Sequence, residues 1–563
     1  MAQALVHRIN KAIFGSIVCA GLVSCSPSNQ VAPASSSAQQ VGSRPNILLI
    51  VVDDLGYSDI GALGGEIETP NMDRLIGDGL MLTNFYAGAA CSPTRAMLMS
   101  GMDNHRAGVG NMMEHIAPNQ KGLSGYEGYL NSNVVALPEL LRDAGYQTYG
   151  VGKWHLGKTE ETSPAARGFQ RSFMLLDGGA GHFDQSGLNA KSSPAPYRED
   201  GVKVDLPADF DYSTDFYTRR MMSYIEQGRN SGRPFFGYLA YTAPHWPLQA
   251  PAADIRKYAG RYDKGWDAIQ QARRAKMVKL GLIPAGAEVS PIYPSGPRWA
   301  ALTPEQRRVE ARKMEIYAAM VDRLDQQIGV LIDYLKKSGQ YDNTVIMFMS
   351  DNGAEGAPLS DLPMFKDWMD SFDNSYSNMG AKGSYVFYET RWAQVSATPF
   401  RLYKGMATEG GVHVPAFVTY RGMKVRGRHK SVASVTDIAP TLLDLAGVPQ
   451  PGARYRDRPV YAMQGRSWAP VMRREATAIR SDTQGIGFEL FNKMGFRQGQ
   501  WKAVKLHPPF SSGGWELYDL STDPGETRNL AVQHPERLAR MVRAWDEYAH
   551  QNGVVLGTTP PER

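Results

Sequence analysis

Four stretches of this chain are dominated by apolar residues and then stop at side chains that do chemistry. In "NILLIVVDD" (residues 46–54), six continuous apolar residues precede two carboxylates, Asp53 and Asp54. "TVIMFMSDNG" ends at Asp351 and Asn352, "YQTYGVGKWHLG" at Lys153 and His155, and "PFFGYLAYTAPHWP" at His245. Successive side chains of a strand point to opposite faces, so a strand with one wet face alternates apolar and polar residues. A strand with no polar position must be covered on both faces. That is the situation of a parallel or mixed sheet held between two layers of helices.

Helical patterns fall between the runs. "ALPELLRDAG" (136–145) has leucines at helical spacing and a glycine stop. "MEIYAAMVDRLDQQIGVLIDYLKKSG" (314–339) sets Ile316, Met320, Leu324, Ile328, Leu331 and Leu335 on one face, with Lys336 and Lys337 in the last turn. This alternation predicts a three-layer α/β domain over residues 44–450. Ligands in such sheets gather at the carboxyl ends of the strands, where all four reactive clusters fall. After residue 450 come a Pro/Gly/Arg connector, short strand candidates in "FRQGQWKAVKL" and "GWELYDL", and a helix candidate, "PERLARMVRAWDEYAHQNG". They predict a small C-terminal α+β subdomain over 451–563.

The N-terminus reads as an export signal. Arg8 and Lys11 precede a twelve-residue apolar core (12–23), shorter than the roughly 20 residues a bilayer span needs. It ends in "LVSC", which resembles the bacterial lipoprotein signal. Residues 1–24 would then be the signal peptide, Cys25 the lipid-modified first residue, and 25–43 a flexible tether of small, polar and proline residues. The expectation is an exported, lipid-anchored, periplasm-facing protein that meets a membrane only through Cys25. The alternative is an ordinary secretory signal and a soluble periplasmic protein. Net charge is +5, with no long Lys/Arg run, which argues against nucleic acid as a partner. With Cys19 in the signal and Cys25 acylated, Cys91 is left alone. That excludes a disulfide framework, since structural cysteines of an oxidising compartment come in pairs.

Asp53, Asp54, Asp351 and Asn352 offer oxygen only, which selects Ca²⁺ or Mg²⁺ over zinc. Calcium takes about six to eight oxygens, so these four need a substrate oxygen and one more from the protein. Arg95, Lys153, His155, His245 and Lys404 (in "RLYKGMATEGG") would surround the ion with positive charge, which suits an anionic substrate. Two strand-end histidines suit proton transfer near neutral pH. In "AACSPTRAMLMSG", Pro93 marks a first helical turn, placing Cys91 at a helix N-terminus that favours an anion or an activated nucleophile. A bare thiolate there would be open to oxidation in the periplasm.

"CSPTR" followed by "AMLMSG" resembles the signature of the formylglycine-dependent (type I) sulfatases. The resemblance runs over roughly residues 44–557 and includes "GKWHLG", "TAPHWPLQAP", "FMSDNGAEGA" and "LYDLSTDPGETRNLA". Within that family the chain looks most like bacterial arylsulfatases. The resemblance implies an alkaline-phosphatase-like three-layer sandwich, with a large mixed, mostly parallel sheet and a small C-terminal subdomain. It implies that a separate maturation enzyme oxidises Cys91 to Cα-formylglycine. Asp53, Asp54, Asp351, Asn352 and one oxygen of the modified Cys91 would hold Ca²⁺. A hydroxyl of the hydrated aldehyde would attack the sulfur of a small aryl sulfate, steadied by Arg95 and Lys153. His245 and Lys404 would serve the departing phenolate, and His155 would take a proton as sulfate is expelled. The implied activity is hydrolysis of aryl sulfate esters to a phenol and inorganic sulfate. Two readings stay open beside it: a phosphonate monoester or phosphodiester hydrolase of the same superfamily, and a non-catalytic lipoprotein that binds sulfated ligands with Cys91 unmodified. Loops 111–129 and 177–196 are expected to line the pocket, Trp246 fits either an aryl-stacking or a core role, and "TEGG" has no role readable from sequence.

Overall fold

The apolar runs become the middle of a ten-stranded sheet. The computed structural model describes residues 44–293, 297–359 and 362–558, so the expected signal, the tether and Cys25 lie outside the described residues. The strands are β1 (Asn46–Val52), β2 (Leu80–Leu82), β3 (Gln147–Lys153), β4 (Arg171–Leu175), β5 (Tyr197–Glu199), β6 (Val202–Val204), β7 (Phe235–Ala240), β8 (Thr344–Ser350), β9 (Ala416–Thr419) and β10 (Gly427–His429). Their order is β10-β2-β9-β8-β1-β7-β3-β4-β5-β6. β8, β1, β7, β3 and β4 run parallel. β9 is antiparallel to both β8 and β2, and β5 and β6 close the far edge antiparallel.

β1 shows why the run is continuous. Leu48, Ile50 and Val52 enter one core, and Ile47, Leu49 and Val51 enter the other. The first core is closed by helices Pro70–Asp78, Ser213–Gly228 and Pro304–Lys337. Helices Cys91–Ser100, Leu137–Asp143 and Ile438–Leu445 close the second. The long helix begins ten residues before the expected Met314. Its first turns are polar and carry no apolar stripe. Instead, the Thr303 hydroxyl accepts from the Gln306 amide at 3.2 Å, the Gln306 side chain accepts from the Thr303 amide at 2.9 Å, and Pro304 takes the first helical position. Among the described residues no helix is long and apolar enough to cross a membrane.

The connector after residue 450 stays on the main body, with Val460, Trp468, Val471, Met472 and Ile479 buried in the second core. Beyond it β11 (Gly485–Leu490), β12 (Lys493–Gln498), β13 (Trp501–Lys505) and β14 (Trp515–Asp519) form an antiparallel meander. Helix Pro535–Asn552 covers it, packing Met541 and Trp545 on Phe496 and Leu517, and stops at Gly553 with φ +71°.

Two buried ionic clusters join this sheet to the main body. Glu409, the acid of "TEGG", accepts from Lys502 Nζ at 2.7 Å and the Tyr86 hydroxyl at 2.9 Å, and pairs with His413 Nδ1 at 2.7 Å. In the second cluster, His105 lies between Asp103 (2.8 Å) and Glu489 (3.1 Å). Burial disfavours the His105 cation, but Asp103 and Glu489 outweigh it and raise the imidazole to about 9. A folded pKa above the unfolded value near 6.5 stabilises fully below that value, and the contribution is lost as pH rises through about 9. Urea unfolding followed from about pH 6 to 10 should therefore show the wild type losing roughly 3 kcal/mol more than His105→Gln. Equal losses would remove His105 as a charged joint.

Candidate active site

β1 and β8 pair in register, Val52 opposite Ser350, so Asp53-Asp54 and Asp351-Asn352 leave the sheet side by side. The Asp54 amide donates to Asp351 Oδ1 at 3.3 Å. Asp54 and His155 both take left-handed backbone, φ +65° and +57°, a conformation that non-glycine residues hold at a cost near functional sites. The turn after Asn352 needs its glycine. A Cβ at Gly353 would lie 1.9 Å from the Gly410 carbonyl oxygen, and the Gly353 amide donates to the Gly411 carbonyl at 3.0 Å. The glycines of "TEGG" thus seat the metal-candidate turn, while its glutamate holds the C-terminal sheet.

Three cations are buried against these carboxylates. Lys153 Nζ donates to Asp53 Oδ2 at 2.7 Å. Arg95 forks onto Asp351 Oδ2 at 2.9 and 2.7 Å, and its Nη1 also reaches the Lys153 carbonyl (2.9 Å) and the Tyr238 hydroxyl (3.2 Å). Lys404 Nζ lies 2.8 Å from Asp54 Oδ1, 3.0 Å from Oδ2 and 3.1 Å from Glu355 Oε2. Burial works against the Asp53 carboxylate, yet Lys153, Arg95 and Lys404 hold it below its ordinary range. For Asp54 burial wins and its pKa rises to about 7, with Lys404 offsetting part of the effect.

Cys91 opens helix Cys91–Ser100, with Sγ 3.3 Å from Asp53 Oδ1 and 3.8 Å from Asp54 Oδ1. Burial, then Asp351 and Asp53, push its thiol well above the usual range. His245 Nδ1 donates to the Trp246 carbonyl at 2.6 Å and its Nε2 faces Asp54 Oδ2 at 3.6 Å. Burial, with Lys404 and Lys153, holds that imidazole neutral, well below its ordinary value. His155 Nε2 faces Glu114 at 3.4 Å, and its buried Nδ1 has no partner among the described residues.

All the residues expected from sequence therefore meet at one sheet edge. Ligand atoms of Asp53, Asp54, Cys91 and His245 lie within 4.8 Å of one another. Asn352 Nδ2 donates to Asp54 Oδ1 (2.6 Å) and to the Gly353 carbonyl (2.8 Å), leaving its buried Oδ1 without a donor. A buried amide oxygen with no hydrogen-bond donor, beside two carboxylates, fits a hard cation. Asp351 is more committed, with one oxygen on Arg95 and the other on the Asp54 amide.

The pocket above Cys91 measures about 580 Å³. It draws on both expected loops, through Met112, Glu114 and His115 and through Gly178, Leu188 and Asn189. Leu362, Pro363 and Phe365 form a further wall that no sequence signal indicated. Trp246 lines this pocket and is also buried against Phe387 and Phe365, with ring centroids 4.8 and 5.8 Å away. Sequence reasoning did not name Tyr238, Glu114 or Glu355. Glu114 lies in an expected pocket loop, and Glu355 carried a sign as a further acid three residues after Asn352, whereas Tyr238 carried none.

A family model described as Sulfatase matches residues 45–448. The chain belongs to the sulfatase family. A second model, N-sulphoglucosamine sulphohydrolase, C-terminal, matches residues 401–544 of this sulfatase. It is 43% identical over 531 residues to an uncharacterized sulfatase of Schizosaccharomyces pombe, covering 92% of this chain and 95% of that protein. Identity to an arylsulfatase of Klebsiella aerogenes is 37% over 459 residues, covering 81% and 97%. Among solved structures, Ps i-CgsB in complex with k-i-k-neocarrahexaose matches with a TM-score of 0.66 at 25% identity, covering 92% and 96%. The fold is the expected alkaline-phosphatase-like sandwich with its small C-terminal sheet.

Arg95→Met would strand Asp351 as an uncompensated buried charge, a loss of roughly 3–5 kcal/mol. Denaturant unfolding measures it, and a loss below about 1 kcal/mol would show that the ion pair contributes little.

Proposed function

We propose that this sulfatase hydrolyses aryl sulfate esters to a phenol and inorganic sulfate, using residue 91 as Cα-formylglycine and Ca²⁺ beside it. One observation carries the reading. Cys91 begins a helix at the base of a pocket with apolar walls, against two carboxylates that are already paired with buried lysines. The identity to the Klebsiella arylsulfatase supports the aryl choice, as do the walls of Trp246, Phe365 and Leu188. The reading includes export on residues 1–24, a lipid anchor at Cys25, a separate enzyme that matures Cys91, and a periplasm-facing location.

Asp53, Asp54, Asn352 and Asp351, with an oxygen of modified residue 91, would hold the Ca²⁺, which when bound supplies positive charge to a sulfate oxygen. Hydrated formylglycine supplies one hydroxyl as nucleophile and a second through which sulfate is released. The chain's own residues do the rest. Lys153 and Arg95 hold positive charge at the base of the site, fixed by Asp53 and Asp351, so no reorganisation is needed as charge develops. Lys404 Nζ, between Asp54 and Glu355, is the donor placed for the bridging oxygen of the ester. His245 is neutral and its Nδ1–H is committed to a carbonyl, so it offers a lone pair at Nε2 and no proton there. This leaves Lys404 as the cation for the departing phenolate. His155 has an open Nδ1, and Glu114 steadies its opposite nitrogen, which suits taking up a proton on sulfate release.

Turnover of nitrophenyl sulfate against phenyl phosphonate, with the intact mass of the peptide around residue 91, tests the reading. Sulfate should be the better substrate, the peptide should be lighter than its cysteine form, and a chelator should remove activity that Ca²⁺ restores. Cys91→Ala should lower kcat/KM by at least about 10³-fold. Full activity with an unaltered thiol would overturn the mechanism. Phe365→Ala should raise KM for the aryl ester about tenfold with kcat nearly unchanged, the size expected for one lost apolar contact.

A further inference from the structure

Away from the active site, a cleft of about 820 Å³ opens along the seam between the main body and the C-terminal sheet. It shares no lining residue with the pocket above Cys91. One wall comes from the end of β10, with Arg428, His429 and Lys430, and the other carries Arg497 of β12. Asp482 is the sole acid among the lining residues.

Arg497 is the telling residue. It is only 5% exposed, yet its Nε and Nη1 have no hydrogen-bond partner among the described residues. Its guanidinium lies 5.9 Å from the centre of the Tyr86 ring, which helps to fix its plane. Glu409 offsets part of its charge from nearby, but that carboxylate is already taken by Lys502, Tyr86 and His413. On the opposite wall the Nε2 of His429 is shielded from water and is likewise unpaired. Each of these two N–H groups of Arg497 is a buried, charged donor without an acceptor among the described residues, and they point to different sides of the guanidinium. Leaving charged donors unmet in the interior is costly, so what the cleft lacks is an acceptor.

We propose that this seam cleft is a second binding site, separate from residue 91, for a tetrahedral oxyanion such as sulfate or phosphate. Arg497 provides an unmet charged N–H, His429 Nε2–H a further donor, and Lys430 and Arg428 the long-range attraction. The oxyanion comes free in solution or as a sulfate group borne on a saccharide, and the chemistry of recognition is the same for both.

Equilibrium dialysis of the mature protein with labelled inorganic sulfate tests this. Saturable binding should survive Cys91→Ala and weaken at least tenfold in Arg497→Gln and in His429→Gln. The second variant changes the outer wall alone and guards against misfolding of the first. It should also keep kcat/KM for nitrophenyl sulfate within about twofold of the wild type. Competition with a sulfated disaccharide then separates the sources. Displacement at a tenfold lower concentration than unlabelled sulfate assigns a saccharide-borne group, and displacement by the inorganic ion alone assigns the free anion; either result keeps the site. No saturable binding, or binding that neither cleft variant changes, overturns it.

Discussion

Arg95, Lys153 and Lys404 lie out of solvent against Asp351, Asp53 and Asp54, and no member of these pairs is tolerable alone in that place. An unpaired ion in a protein interior costs several kcal/mol, so each pair must form together or the sheet edge does not close. The effect on β1 is specific. Both its faces are apolar, so the in-and-out alternation that fixes the register of most strands has nothing to select between. The carboxylates at its end do select. A slip of one residue would draw Asp53 away from Lys153 and into the apolar layer. Arg95 extends the same control across the edge, since its fork and Nη1 tie the helix of Cys91 to β8, β3 and β7 at once.

The C-terminal sheet belongs to this argument, although it places no residue in the pocket. Lys404 sits on a loop with few regular hydrogen bonds of its own. Its amide donates to the Ala354 carbonyl at 3.0 Å, and the next amide, of Gly405, donates to the Ala89 carbonyl at 2.7 Å. The Gly405 carbonyl in turn accepts from Lys493 of β12 at 3.1 Å, and Glu409 a few residues on is bound by Lys502 of β13. The loop is therefore clamped between the candidate metal turn, the segment leading into Cys91 and the meander. The meander is best understood as a brace that keeps the Lys404 ammonium beside Asp54.

This division explains what could be read from sequence. The strands β1, β3, β7 and β8 were legible because burial on both faces leaves a mostly apolar run, and their functional ends because such runs stop at charge. The start of helix Pro304–Lys337 was not legible from periodicity, since its first turns rest on a capping box at Thr303 and carry no apolar face. The Phe365 wall escaped because it depends on contacts far apart in the chain. Phe365 packs on Trp246, and Trp246 on Phe387, across more than a hundred residues of sequence. The same packing resolves Trp246, which is a core residue with a face on the pocket. "TEGG" was opaque for a similar reason, as its glycines and its glutamate answer to two different neighbours.

The surroundings of residue 91 bear on why a cysteine stands there. A thiolate would face the carboxylates of Asp53 and Asp54 across 3.3 and 3.8 Å, and the burial that raises the thiol pKa makes that anion harder still to form. A thiol is also a weak hydrogen-bond donor, poorly matched to two charged acceptors. Hydroxyl groups at the same position would meet those acceptors well, and an oxygen would suit a hard cation better than sulfur does. The carboxylates, the unpaired Asn352 oxygen and the open Nδ1 of His155 all suit an oxygen-bearing residue 91. On that argument the proposed oxidation of Cys91 would give the site a residue that its surroundings suit better than the thiol.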